Sequence, residues 1–239
     1  MKEQYVGDLN DYRKYALLRA LAAGGANRIT VAWMLTPPDD RNDGNKRAYL
    51  DQPEKHRRFD PELFDVLRDV EDGPGVDRLR AIEASGIIPG AAYFNEELPR
   101  ETRARAGFMT RCRLAAAGSD LVFFDPDNGL EVKSTAKGRS GSERYLYLDE
   151  AAAFYAAGHS LLIYQHFGRV ERDAFVADCA ERLVSAAPGA GFRAFWTGHV
   201  VFLLLIHPSS PKSLSDAADG TATRWPGRDF VWEDTPALG

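Results

Sequence analysis

The chain has 239 residues, of which 44% are hydrophobic and 27% charged, with a net charge of −5. That length suits one large domain with a sizeable core, and the acidic balance excludes a generally basic nucleic-acid coat while leaving room for local basic patches. Cys112 and Cys179 lack CxxC spacing, so neither a disulfide framework nor a cysteine metal site is expected. With no signal-like apolar stretch near Met1, and a longest apolar run of only Val200 to Ile206, a cytoplasmic protein without membrane contact is expected.

In chain order, residues 11–23 have helical apolar spacing and stop before Gly24-Gly25. Residues 29–35 read as a buried strand closed by Pro37-Pro38, and the polar stretch that follows, 36–60, reads as a long functional loop. Asp39, Asp40 and Asp43 in it lack EF-hand spacing. Helices are expected at 61–72 and 76–85, a short strand at 91–94, and an arginine-rich helix at 100–118. A strand at 121–125 precedes a second long loop, 133–148, rich in Ser, Gly, Lys and Arg toward its start. A helix at 149–157, a strand at 160–166, a helix at 171–186 and strands at 192–196 and 200–206 follow. From Pro208 the chain reads as loop, packed down by Trp225, Phe230 and Trp232.

Strands that are uniformly apolar and alternate with helices predict a three-layer α/β fold over 1–239. Its central sheet should be mostly parallel, with helices on both faces. Ligands of such sheets bind beyond the carboxyl ends of the strands. Three strand ends there are polar: Asp125-Pro126-Asp127-Asn128, Tyr164-Gln165-His166 and His207-Pro208-Ser209. The first sits within LVFFDPDNGLEVKS, where Asn128-Gly129 alone would fit a β-hairpin turn. A turn does not account for Asp125, Asp127 and Glu131 together. A carboxylate beside an amide can position water and stabilise a cationic transition state. Asp8 or Asn10 would cap the first helix. Asp11, Tyr12, Arg13 and Lys14 crowd its first turn, where a phosphate could bind.

FFDPDNG (123–129) and LLLIHPSSPKS (203–213) resemble two loops of the uracil-DNA glycosylase superfamily. In that family one loop holds the water-positioning residue and the other a His that supports the departing base. Asp127-Asn128 replaces the usual aromatic-His, and an extra serine precedes Pro211. The chain is also similar in class to bacterial antiphage DNA glycosylases that excise hypermodified cytosine. FFDPDN further resembles the fourth-strand end of amino-group methyltransferases, whose fifth to seventh strands would be 160–166, 192–196 and 200–206. The glycine-rich loop of that family is missing after the first strand. Asp120 or Asp125 with Glu131-Val132-Lys133 resembles the D…ExK pattern of Mg²⁺-dependent nucleases.

The preferred expectation is a DNA glycosylase that flips out a modified base, needs neither cofactor nor metal, and has DNA but no evident protein as partner. Asp125, Asp127, Asn128 and His207 would carry the chemistry. Phe123, Glu131, Tyr164, Gln165, His166 and Phe167 would bind the base. Asp11, Tyr12, Arg13, Lys14, Lys133, Lys137, Arg139, Arg144 and Ser209 would hold phosphates. A methyltransferase using S-adenosylmethionine or a D…ExK nuclease are the alternatives.

Overall fold

Short apolar runs build the sheet, and the period of two along each run divides their side chains between two faces. A computed structural model describes residues 1–23, 28–37, 46–72 and 77–237. In chain order the elements are α1 (Leu9–Ala22), β1 (Ile29–Ala32), α2 (Pro53–His56), α3 (Pro61–Asp72), α4 (Arg78–Ser85), β2 (Ala92–Phe94), α5 (Thr102–Ala115), β3 (Leu121–Phe124), β4 (Gly129–Leu130), β5 (Tyr145–Leu146), α6 (Leu148–Tyr155), β6 (Ser160–His166), α7 (Arg172–Ala186), β7 (Gly191–Trp196), β8 (Val200–Ile206), α8 (Lys212–Asp219), α9 (Thr221–Arg224) and β9 (Trp232–Glu233). Gly24-Gly25 and the Asp39/Asp40/Asp43 stretch lie outside the described residues.

The main sheet has the order β2-β1-β3-β6-β8-β7-β9. From β2 to β6 every pairing is parallel; from β6 to β9 every pairing is antiparallel. The fold is the expected three-layer α/β sandwich; its sheet is mixed, parallel through β2, β1, β3 and β6 and antiparallel beyond. On one face Val31, Phe123, Leu162 and Phe202 pack with Leu17, Leu18, Leu63 and Leu214 of α1, α3 and α8. On the other, Phe124, Ile163 and Leu203 pack with Phe108, Phe154 and Leu183 of α5, α6 and α7. Among the described residues, no helix is long and apolar enough to cross a membrane.

Two sequence expectations change. The segment after Pro208 contains α8 and α9, because Leu214 and Ala218 bury against the face that α1 covers. DPDNG is not a hairpin: β4 leaves the main sheet and pairs in parallel with β5. Gly129 has φ 110, and a Cβ there would sit 2.3 Å from the Gln165 side chain, so only glycine lets that amide cross the loop. Gln165 accepts from the Leu130 amide at 2.7 Å and donates to the Asn128 carbonyl at 3.1 Å. One buried side chain thus clamps the loop after β3 onto the end of β6.

Candidate active site

Because β3 and β6 are parallel neighbours, Asp125 and His166 emerge at the same edge of the sheet. Helix α1 brings its first turns to this edge. Asp8 caps it, accepting from the amides of Asn10 at 2.8 Å and Asp11 at 2.9 Å. One turn on, Lys14 donates to Asp11 at 2.5 Å and to Asp125 Oδ2 at 2.6 Å. The rings of Tyr15, Trp33 and Tyr164 surround its ammonium at 5.6, 5.8 and 5.4 Å. Asp11 also accepts from the Gly7 amide and the Tyr15 hydroxyl, both at 3.0 Å. Its role is to hold Lys14. The Met1 amino nitrogen lies 2.9 Å from Asp127 Oδ1 and donates to the carbonyls of Asp125 and Met34. Thr36 donates to the other Asp127 oxygen at 2.7 Å. Met34, between β1 and this corner, adopts φ 47, a strained conformation for a residue with a side chain.

These groups line a cavity of about 540 Å³, bounded also by Lys2, Tyr5, Asn10, Lys46, Asn128, Arg144, Tyr164, His166 and His199. Its size suits a nucleotide-scale ligand. The electrostatics are unusual. Burial, and then the neighbouring Asp11 carboxylate, push Asp8 up to about 7, which places a carboxyl group near the ideal range for a general base. Burial would lower the Lys14 ammonium, but Asp11 and Asp125 outweigh it and hold the proton on. Burial raises the Asp125 carboxyl against the opposing pull of Lys14. Although His166 opens onto the cavity, crowding by the walls lowers its basicity, with Asp127 acting the other way. Its Nε2 lies 3.2 Å from the Tyr164 hydroxyl.

Of the residues singled out in the sequence, Asp11, Lys14, Asp125, Asp127, Asn128, Arg144, Tyr164 and His166 meet at this cavity. Others do not. Phe123 is fully buried in the core beneath. Gln165 is spent on the loop clamp. Glu131 accepts from the Leu148 amide at 3.1 Å, capping α6, so it forms no D…ExK constellation with Asp125 and Lys133. Phe167 packs on Trp196, with Arg172 across its ring. Tyr12 is core, its hydroxyl bonded to the His56 carbonyl and the Asp60 backbone. Lys133 and Arg139 are exposed outside the cavity lining. Lys137 pairs with Asp149 at 2.5 Å.

His207 and Ser209 are the largest displacement. Strand β8 runs antiparallel to β6, so its carboxyl end lies beside Ser160, and the His207 amide donates to the Ser160 hydroxyl at 2.9 Å. The six residue steps from Ser160 to His166 separate that end from the cavity by about 20 Å. The His207 ring instead bonds Ser209 at 2.6 Å and leans on Tyr155. The reversal of β8 carries a different histidine to the cavity: His199, in the turn between β7 and β8, next to Val200, which pairs with His166. Nothing in Thr197-Gly198-His199 marks it in the sequence. Asp8 was legible only as a cap; its second role needs the burial that the fold supplies. No protein-family model matches the chain, and no curated protein matches it.

Proposed function

We propose that the protein is a hydrolase of the N-glycosidic bond of a nucleotide, acting on a modified base extruded from DNA, as an antiviral defence enzyme would. The observation that carries this reading is the nucleotide-sized cavity in which a carboxyl group pushed up to about 7 shares the walls with three further acidic side chains, two histidines of lowered basicity and the cations Lys2, Lys14, Lys46 and Arg144. N-glycoside hydrolysis needs these elements. The Asp8 carboxylate takes a proton from water, and the water oxygen bonds to C1′. The C1′–N bond breaks, and its electron pair leaves with the base. Asp125 and Asp127 supply negative potential to the oxocarbenium-like sugar. His166, neutral at pH 7, can donate a hydrogen bond to the departing base, with Tyr164 and Asn128 alongside. The cations at the rim suit flanking phosphates. Extrusion of the base is required because residues lining a recess cannot reach a glycosidic bond stacked within a duplex.

The test is release of a base and formation of alkali-labile sites in plain, uracil-containing and glucosylated-hydroxymethylcytosine DNA, in EDTA and without S-adenosylmethionine. Base release lowered at least about 10²-fold by Asp8→Asn supports the reading; intact DNA in all three sinks it. The methyltransferase alternative retains one observation. The β3 strand carries DPDN at its end, and β6, β7 and β8 follow it in the succession that family would need. The described loop after β1, Trp33 to Pro37, has no glycine. Transfer of a labelled methyl group from S-adenosylmethionine to DNA would select that alternative.

A further inference from the structure

Tyr164 and His166 lie two residues apart on β6, so their side chains leave the same face of the strand. Gln165 between them leaves by the other face and clamps the loop after β3. The Tyr164 ring is held in place. It is buried, packs edge-on against Phe202 at 5.7 Å, and has the Lys14 ammonium 5.4 Å from its centre. Its hydroxyl is therefore a fixed point, 3.2 Å from Nε2 of His166. Among the described residues that nitrogen is the one hydrogen-bond partner of the hydroxyl. Which of the two atoms donates decides where the imidazole proton sits.

Burial, and then the negative charge of Asp8, Asp125, Asp11 and Asp127, keep the phenol proton on Tyr164. Burial also disfavours the doubly protonated ring of His166, against the pull of Asp127. The pair is thus a neutral phenol beside a neutral imidazole. If Nε2 carried the ring proton and donated, the buried phenol hydrogen would have no acceptor among the described residues, which is costly. If the phenol donates, Nε2 accepts through its lone pair and both groups are satisfied. The ring proton then resides on Nδ1.

We infer that Tyr164 is a positioning residue: its hydroxyl donates to Nε2 of His166, holds the imidazole as the Nδ1–H tautomer, and makes that N–H the donor His166 offers to a ligand in the cavity. The inference deepens the proposed function, resting on it only for what the N–H meets. That is an acceptor on the departing base, a carbonyl oxygen or an unprotonated ring nitrogen beside the breaking bond. A base with a donor at that place would set two N–H groups against each other and be rejected.

Nitrogen-15 NMR of the whole chain with labelled histidine tests it. His166→Gln identifies the His166 signals by their loss. At about pH 8, where the ring is neutral, the wild type should show a pyrrole-like Nδ1 and a pyridine-like Nε2. Tyr164→Phe removes one oxygen and keeps the aromatic ring. It should shift His166 to the Nε2–H form or to a mixture of the two, with circular dichroism establishing that the variant is folded. Its kcat for base release should fall about threefold or more with KM within about twofold, because only a fraction of molecules then presents the competent donor. If the variant does not fold, replacing tyrosine by fluorotyrosine, a stronger donor, should move the Nε2 signal; an unmoved signal overturns the inference. A wild-type His166 protonated at Nε2, a folded Tyr164→Phe that keeps the Nδ1–H tautomer, or one that loses it at full rate also overturns it. The two readings fail separately. Base release that depends on His166 without the Nδ1–H tautomer rejects the positioning role alone. A Tyr164-dependent tautomer without base release from any DNA rejects the glycosylase reading alone.

Discussion

Among the described residues, two buried clusters of charged side chains are built on opposite terms. On the α5–α6 face, Arg105 donates to Glu150 at 2.6 and 2.8 Å and to the carbonyls of Ser142 and Tyr145 at 3.0 and 2.6 Å. Glu150 in turn accepts from the Tyr147 amide. Arg105 and Glu150 are bonded bidentately, Lys137 lies 3.6 Å from the same carboxylate, and the long loop before α6 is stapled to α5. At the α1 corner the ledger is uneven. Asp8, Asp11, Asp125 and Asp127 share two close cations, Lys14 and the Met1 nitrogen. One of those carboxyls is pushed up to about 7, while the Nε and Nη1 of the buried Arg13 have no hydrogen-bond partner among the described residues. A matched buried cluster is a structural device. A mismatched one retains electrostatic strain and unsatisfied donors, the state expected where a ligand completes the set.

The largest expected effect breaks the mismatched cluster. Asp8→Asn keeps the helix cap, because asparagine caps as well as aspartate, but removes the base. Base release should fall by about 10²–10⁴-fold, the usual contribution of a general base. In the wild type kcat/KM should rise with pH through about 7 as Asp8 ionises, and the residual activity of the variant should lack that limb. A wild-type profile flat between pH 6 and 8 would remove Asp8 from the mechanism.

Breaking the matched cluster should unfold rather than inactivate. Arg105→Ala leaves the buried Glu150 with only the more distant Lys137, at a cost of up to about 3–5 kcal/mol, or about 6–20 °C in Tm for a chain of this size. Arg105→Met combined with Glu150→Leu should recover most of the loss, since a well-packed apolar replacement of such a pair is often neutral. If the single and double variants melt together, the pair is not the staple described.

A smaller effect distinguishes the two clusters by pH. The Asp8 carboxyl rises from 3.8 to about 7 on folding, so the native state holds its proton more tightly than the unfolded chain. Stability from this group is therefore present below about pH 4 and is lost progressively as pH rises to 7. Asp8→Asn escapes that loss. It should match the wild type near pH 4 and exceed it by roughly 2–4 kcal/mol at pH 8, measured by urea unfolding at each pH. A difference that does not grow with pH would mean that Asp8 is not strained.

Much of the fold was legible because apolar runs and helical spacing are local signals. LVFF at 121–124 and SLLIYQH at 160–166 read as buried strands on their own, and their polar ends pointed to the cavity. What the residues could not announce was strand direction. VVFLLLI has the same composition whichever way it runs, and its reversal removes His207 from the cavity and brings His199 in. Nor could they announce burial: Tyr12 and Lys14 lie two residues apart on one helix, yet Tyr12 is packed into the core while Lys14 reaches the carboxylates. Glu131 and Gln165 are spent on backbone amides that only the folded loops place nearby.

The smallest expected effect sharpens the comparison between the two ends of the sheet. His166 and His207 are both exposed or half-buried, and each sits at the carboxyl end of an apolar strand. Only His166 faces carboxylates and a tyrosine hydroxyl; the His207 ring is satisfied by Ser209, whose own amide donates back to it at 3.1 Å. His207→Ala should therefore change base release by less than about twofold and stability by no more than about 0.5–1 kcal/mol, as for a surface substitution. His166→Ala should lower activity by at least about tenfold without a comparable loss of stability. If the two variants exchange these outcomes, the chemistry lies at the amino end of β6, and the loops after β3 and α1 are scaffolding for something else.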